Sequence, residues 1–278
     1  MQPKKQIIIP RIGWQSINVH EFILYRDLLY FMVLRQIKVL YKQSVLGFTW
    51  ALIRPLFSMI IFSIIFGELA KIPSDGIPYP IFSYAALVPW TYFSTAMVSS
   101  TQSLIGGAGT FTKVYFPRLF IPLTPVIAGL IDFLISLLLL FILMVHYGIS
   151  PTPYVVFLPV LIIIMVLTSA GVGMWLSALA IQYRDVKHAI GFFAQLLMYL
   201  APVVWPVSLM YEKYGETLTF VYSFYPMVGV IEGFRAALLG TTIFPMDYLI
   251  TGAFTALFIF ISGAFYFNKK EKYFADVA

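Results

Sequence analysis

Cationic side chains are the residues of this chain whose type and spacing best suit chemistry. The sequence predicts an amphipathic helix over residues 22–41. Arg35, Lys38 and Lys42 follow one another at i, i+3 and i+7, so the helix and its next residue carry them together. A separate apolar side is formed by Leu29, Val33, Ile37 and Leu40. Such a helix can lie on anionic lipid headgroups, either as a working element of the protein or only as a membrane anchor.

Motifs for nucleotide binding or hydrolysis are missing from the sequence. A P-loop needs Gly-Lys-Ser/Thr to cradle phosphates, and no glycine of this chain is followed by lysine. The glycines of GGAGTFTK at 106–113 are spaced wrongly and predict a flexible turn. HExxH and GxSxG are also missing, the chain has no cysteine, and its 12 acidic residues are scattered. We therefore predict a protein that is not an enzyme and holds no metal.

Composition places the chain in a membrane. Hydrophobic residues make up 60% of it and charged residues 11%, against roughly 25% charged residues in soluble proteins. The net charge of +6 does not indicate a nucleic-acid partner, because the lysines and arginines sit at the ends of apolar stretches rather than on one face. We predict an all-α polytopic membrane protein.

Six apolar stretches reach the length of about 20 residues that a transmembrane helix needs. The predicted spans are residues 51–67, 81–103, 119–145, 154–182, 189–210 and 248–267. Residues 226–240 are too short and too charged to cross, so they predict a re-entrant helical segment between spans five and six, or else an interfacial helix. Glu232 and Arg235 on this segment, at i and i+3, can pair.

Lysines and arginines divide unequally between the two sides of this topology. Of the 18, all but Lys71, Lys213 and Arg235 fall on the side of the two termini. Because positive charges concentrate in cytoplasmic loops, both termini are predicted to be cytoplasmic. The predicted organisation is a cytoplasmic segment at 1–50 with the interfacial helix, a transmembrane domain at 51–268 and a cytoplasmic tail at 269–278.

Asp132 is the one acidic residue in predicted span three. Ionisable residues within spans are often functional. Spans two, four, five and six contain no basic residue that would complete a proton relay, however. We therefore predict a structural role, in which Asp132 accepts a hydrogen bond from a neighbouring helix.

Five stretches of the chain together resemble the ABC-2 family permeases that export polysaccharides. They are YRDLLYFMVLRQIKVLYKQSVLGFTWALIRPL at 25–56, FGELA at 66–70, YRDVKH at 183–188, EGFRAALLG at 232–240 and YFADVA at 273–278. Members of this family serve O-antigen, capsule and teichoic acid export. The first stretch is the most specific, and the resemblance covers nearly the whole chain in order.

The resemblance implies a homodimer of six-span subunits in the cytoplasmic (inner) membrane of a bacterium. Two copies of a separate ATPase subunit would bind ATP and Mg, so this chain would itself need no cofactor. The cargo would be a polysaccharide linked to polyprenyl pyrophosphate. An ABC-2 permease that exports a small molecule or a lipid is the alternative, and it would not be expected to carry the first stretch.

The resemblance also implies roles for particular residues. The pyrophosphate of the carrier would meet the cations Arg35, Lys38, Lys42 and Arg54. The loop after span two would couple to the ATPase through Lys113, Tyr115, Phe116 and Arg118, although its composition alone would favour a solvated loop that sets topology. Glu232 and Arg235 would belong to an external gate.

Aromatic residues make up 18% of the chain, and many of them suit the belts at the two membrane surfaces. Sugar rings have apolar faces that can pack on aromatic rings without fixed hydrogen bonds, and the resemblance implies a conduit lined in this way. The candidates are Phe57, Phe62 and Phe66 on span one with Tyr199 and Trp205 on span five.

Overall fold

The computed structural model describes residues 19–42, 47–106, 116–241 and 244–271 together with Phe274. Within these ranges the chain is helical and forms no β-strand, as predicted. The helices are α1 (Val19–Leu24), α2 (Arg26–Lys42), α3 (Thr49–Phe62), α4 (Tyr79–Gly106), α5 (Phe120–Ala128), α6 (Leu130–Tyr147), α7 (Leu158–Ala180), α8 (Arg184–Leu200), α9 (Val207–Tyr222), α10 (Pro226–Leu238) and α11 (Met246–Lys270). A π-helical stretch, Ser63–Leu69, continues α3, and a 3₁₀ turn, Pro153–Phe157, precedes α7.

The predicted interfacial helix forms as two helices, α1 and α2, which meet at Tyr25. Arg35, Lys38 and Lys42 of α2 are exposed. The predicted apolar side of the helix is half-buried except at Leu40, which is exposed. α2 packs on α5. The rings of Phe22 in α1 and Phe120 in α5 pack edge to face, with 5.0 Å between their centres. The amphipathic pattern is therefore confirmed, with the protein itself covering part of the apolar side.

α4 is the central helix of the bundle. It packs against α3, α5, α6, α7, α8 and α10, and every side chain over residues 81–88 is buried. Its 28 residues contain the second predicted span and are long enough to cross a bilayer. α4 also carries a proline and several serines and threonines, which a helix enclosed by other helices tolerates better than one that faces lipid.

Four helical stretches within the described residues are both long and apolar enough to cross a membrane. They are Thr49–Leu69, Phe120–Tyr147, Pro153–Ala180 and Met246–Lys270. These stretches correspond to predicted spans one, three, four and six, with span three divided into α5 and α6 at Gly129. Predicted spans two and five are not among them.

The prediction of one continuous fifth span at 189–210 is wrong. α8 ends at Leu200, residues 201–206 are not helical, and α9 begins at Val207. We call residues 201–206 the break. Pro202 and Pro206 explain it, because a proline disfavours helical backbone in the residue before it, and Ala201 is extended at φ −78° and ψ 149°. The 17 residues of α8 reach about 26 Å, which is short of the roughly 30 Å hydrocarbon core.

The predicted segment 226–240 forms α10, a 13-residue helix that is buried along its whole length. It lies among α4, α7 and α11. Pro226 begins the helix, where no amide donor is needed, and Gly240 follows it in left-handed backbone at φ +69°. Thr152 donates its amide to the carbonyl of Ala237 in the last turn at 3.0 Å. At about 20 Å, α10 is too short to cross a bilayer.

Glycine lets α7 approach α11 very closely. A Cβ atom added at Gly171 would lie 2.7 Å from backbone atoms of Ile259 and Phe260. One turn further along α7, the Trp175 ring stacks on Tyr266 of α11 with 4.2 Å between the ring centres. Small residues permit this approach in membranes, where close packing takes over from hydrophobic burial in holding helices together.

Gly171→Ala should destabilise the protein, because backbone atoms of α11 would have to move to admit the new methyl group. Overpacking of this kind costs about 1–3 kcal/mol. Gly191→Ala in α8 is the matched control, since nothing lies within 4 Å of a Cβ atom at that position. Thermal unfolding of the detergent-solubilised protein measures both variants. Equal unfolding temperatures would contradict the close helix contact.

Candidate functional site

The four predicted phosphate-binding cations lie on α2 and α3. Arg35, Lys38 and Lys42 are exposed on α2, and Arg54 is exposed near the start of α3. The Arg54 guanidinium lies 5.9 Å from the centre of the Trp50 ring, close enough for a cation–π attraction. Within the described residues, no three histidine or acidic side chains come together as metal ligands.

A cavity of ≈ 200 Å³ lies between α2, α3, α4, α5 and α6. Its wall includes Gln36 and Tyr41 of α2, Arg54 of α3 and Asp132 of α6. We call this space the lip cavity. Of the four predicted cations, Arg54 belongs to the cavity wall, so a charged group of a ligand in the cavity can meet it.

Hydrogen bonds join the helices around the lip cavity. Asp132 accepts one from the Tyr41 hydroxyl, which connects the end of α2 to α6. Ser136, one turn further along α6, donates to the carbonyl of Ala51 in α3 at 3.0 Å. The hydrogen bond that we predicted for Asp132 from a neighbouring helix is therefore confirmed, and its donor is the interfacial helix itself.

The five predicted conduit aromatics do not form one group within the chain. Phe57 and Tyr199 are 62% and 63% exposed, on helices that both pack against α4. Phe62 and Phe66 touch edge to face with 5.4 Å between ring centres. Trp205 lies in the break and stacks on a tyrosine of α9.

The described part of the predicted coupling loop begins at Phe116, so Lys113 and Tyr115 lie outside the described residues. Phe116 is buried. Arg118 donates from Nη1 to the backbone carbonyl of Glu271 at 2.7 Å, and its Nε lies 3.7 Å from the Glu271 carboxylate. Phe116 and Arg118 therefore anchor the end of the loop to the protein.

The predicted C-terminal tail packs on the protein as far as it is described. α11 continues to Lys270, and Phe274 is buried with its ring centre 5.1 Å from that of Phe267. Glu271, the partner of Arg118, lies between Lys270 and Phe274. The C-terminal tail and the end of the predicted coupling loop therefore hold each other in place.

Glu232 and Arg235 form the predicted ion pair, with 2.8 Å between Glu232 Oε1 and Arg235 Nη1. Both side chains are buried, and that of Arg235 is 0% exposed. The guanidinium lies 3.6 Å from the centre of the Phe82 ring in α4 and donates to the Val203 carbonyl at 2.8 Å. Glu232 accepts a hydrogen bond from the Val207 amide at 3.3 Å. The pair therefore joins α10 to α4, to the break and to the start of α9.

Three contacts of the site have no signal in local sequence patterns. Tyr41 reaches Asp132 across 91 positions, and Arg118 reaches Glu271 across 153. Arg235 meets the break across roughly thirty positions, which helical periodicity cannot reveal. The two prolines at 202 and 206 are the one local signal that could have located the break.

Apolar helices long enough to cross a bilayer, packed around a buried central helix, define an integral membrane protein of the helical type. The four predicted cations are exposed on it, and one of them, Arg54, lies in the wall of the lip cavity. The chain belongs to the ABC-2 type transporter family, whose family model matches residues 27–239. This match confirms the resemblance found in the sequence.

Known members of the family match almost the whole chain. The O-antigen export system permease protein RfbA of Myxococcus xanthus is 27% identical over 259 residues, which cover 93% of this chain and 98% of that protein. The protein of the same name from Klebsiella pneumoniae is 27% identical over 252 residues, 90% of this chain and 95% of that protein. The polysialic acid transport protein KpsM of Escherichia coli is 23% identical over 248 residues, 86% and 92% of the two chains.

Arg235→Met should strongly destabilise the protein, because it leaves Glu232 buried without its cation. Breaking a buried pair in this way costs about 3–5 kcal/mol. The double variant Glu232→Leu/Arg235→Met should recover the part of this loss that comes from the unpaired carboxylate, but not the part that comes from the Val203 and Trp205 carbonyls, which lose their donor in both variants. Thermal unfolding of the detergent-solubilised protein measures both.

Arg26→Met is the control for this pair, because Arg26 forms an exposed ion pair with Asp27 and its loss should change stability by less than about 1 kcal/mol. If Arg235→Met unfolds at the same temperature as Arg26→Met, the buried pair does not hold the break.

Proposed function

We propose that this chain is the transmembrane subunit of a transporter that exports a lipid-linked polysaccharide across the cytoplasmic membrane of a bacterium. One observation carries the proposal: the similarity along nearly the whole chain to permease and transport proteins named for O-antigen and polysialic acid. The exposed cations of α2 and α3 support it further, because a polyprenyl pyrophosphate carrier needs cationic partners at a membrane surface.

In this proposal the energy comes from two copies of a separate ATPase subunit, which binds ATP and Mg. Membership of the ABC-2 family supports the partner, and the sequence contains no P-loop of its own. The coupling loop at 113–118 contacts the ATPase. Phe116 and Arg118 anchor that loop to the body of the permease, so a push on the loop is passed to the end of α11.

Six crossings follow if α4 and α8 are added to the four apolar spans, with the break completing the short α8. Both termini then lie in the cytoplasm, as the excess of lysines and arginines on their side supports. α10 lies at the outer side as an external gate, and the Glu232–Arg235 pair sets its position against the break.

Two copies of the chain form the conduit. Span one supports this arrangement, because only 6% of its apolar window is buried within one chain. Phe57 of span one and Tyr199 of α8 are exposed on helices that flank α4. A second copy that faces these helices encloses a passage with aromatic walls, on which the apolar faces of sugar rings can slide.

Depletion of this protein in its own host tests the proposed function. Export failure should trap completed, lipid-linked polymer inside the cell, while the amount at the surface falls. Cell fractionation followed by immunoblotting of the glycan measures both pools. Normal surface polymer without internal accumulation, in a host with no second transporter for it, would refute the proposal and favour an ABC-2 exporter of a small molecule or lipid.

Complementation of the same depletion strain tests whether the four predicted cations contribute to export. A variant with alanine at Arg35, Lys38, Lys42 and Arg54 should reach the membrane in normal amount but restore export about tenfold less well or worse, since each charge-assisted contact to phosphate contributes about 1.5–3 kcal/mol. Alanine at Lys71 and Lys213, two exposed cations elsewhere in the chain, is the control. Full export by the four-alanine variant would remove these cations from the binding site.

A further inference from the structure

Three hydroxyl groups of α4 are not used within the protein. Of the eight serines and threonines in α4, five donate hydrogen bonds to backbone carbonyls: Ser83, Ser94, Ser100, Thr101 and Ser103. The hydroxyls of Thr91, Thr95 and Ser99 donate to no group in the part of the chain that the structure describes. These three are spaced at i, i+4 and i+8, so they form one row along the helix.

The row lines the lip cavity, and Thr91, Thr95 and Ser99 all belong to its wall. Serine and threonine hydroxyls in helices commonly satisfy themselves on the carbonyl three or four residues earlier, as Ser94 and Thr101 do. Three neighbouring hydroxyls on one cavity wall that make no such bond offer hydrogen bonds to a ligand with several oxygens.

The remaining wall limits the charge of this ligand. Arg54 is cationic, Asp132 is acidic, and Gln36 offers both a donor and an acceptor. A carboxylate disfavours a phosphate inside the cavity, and a guanidinium disfavours a metal ion. An uncharged ligand with many hydroxyl groups satisfies both, and the aromatic wall residues Trp50 and Tyr92 can pack on its apolar faces.

The size of the cavity agrees with this chemistry. A single water needs roughly 10–15 Å³ of space of this kind. The ≈ 200 Å³ of the lip cavity is therefore ample for a sugar ring.

We propose that the lip cavity binds one sugar of the lipid-linked glycan, the sugar next to the pyrophosphate. Thr91, Thr95 and Ser99 donate hydrogen bonds to its oxygens, while the pyrophosphate remains outside at the four cations. Arg54 is exposed and lies in the cavity wall, so its guanidinium is placed to contact both the sugar and the pyrophosphate next to it. This proposal rests on the proposed function and adds a site that recognises the first sugar rather than the lipid carrier.

Binding by the purified permease–ATPase complex in lipid nanodiscs tests the proposal with two probes. One probe is lipid-linked glycan extracted from the membranes of the host, and the other is bare polyprenyl pyrophosphate. The variant Thr91→Val/Thr95→Val/Ser99→Ala removes the hydroxyl row and nearly preserves its shape. Its affinity for the lipid-linked glycan should fall about tenfold or more, at roughly two- to tenfold per hydroxyl, with no change for the bare carrier.

Thr101→Val is the matched control, since the Thr101 hydroxyl already donates to the Met97 carbonyl and lies away from the cavity. Unchanged glycan affinity in the triple variant, or equal loss for both probes, would overturn the sugar site. If the unaltered complex binds neither probe, the proposed function fails, and the sugar site fails with it.

Thiol labelling provides a second readout that does not depend on the triple variant folding. The chain has no cysteine, so Thr95→Cys introduces a single thiol at an exposed position of the cavity wall. A water-soluble maleimide should label it, and lipid-linked glycan should slow the labelling at least severalfold while bare carrier does not. Equal protection by both probes, or by neither, would contradict a sugar in the cavity.

Discussion

The buried guanidinium of Arg235 is the contact on which the rest of the structure most depends. A break inside a helical bundle frees backbone carbonyls, and in apolar surroundings each of them needs a donor. Arg235 donates to the carbonyl of Val203 at 2.8 Å and, more weakly, to that of Trp205 at 3.4 Å. The Tyr79 hydroxyl donates a hydrogen bond to the carbonyl of Val204 at 2.6 Å. Side chains of α10 and α4 thus donate hydrogen bonds to the freed carbonyls of the break. The adjacent carboxylate of Glu232 balances the charge of Arg235.

This arrangement gives α4 two functions along its length. Its first turns hold the ion pair, with Phe82 beneath the guanidinium, whereas the turns from Thr91 to Ser99 face the lip cavity. Phe82 and Thr91 are separated by about 14 Å of continuous helix. α4 therefore connects the proposed gate to the proposed sugar site, with Pro89 between the two.

Hydropathy and periodicity could predict the parts of this fold that face lipid or water. They located the four apolar spans, the exposed cations of α2 and the pairing of Glu232 with Arg235, which lie one turn apart. They failed at span five, because a count of apolar residues passes through Pro202 and Pro206 without registering the break. The lip cavity could not be predicted, since its walls come from five helices whose packing no local pattern encodes. Which hydroxyls of α4 remain unused likewise depends on that packing.

We propose that this chain carries a lipid-linked glycan across the membrane with energy from a separate ATPase. Reconstitution of the permease and its ATPase in liposomes tests it most directly, with fluorescently labelled lipid-linked glycan in the outer leaflet and ATP outside. The glycan should become protected from an added, membrane-impermeant glycosidase, and protection should require ATP, the ATPase and this chain together. ATP hydrolysis without protection of the glycan, under conditions in which a simple lipid is moved, would contradict the claim.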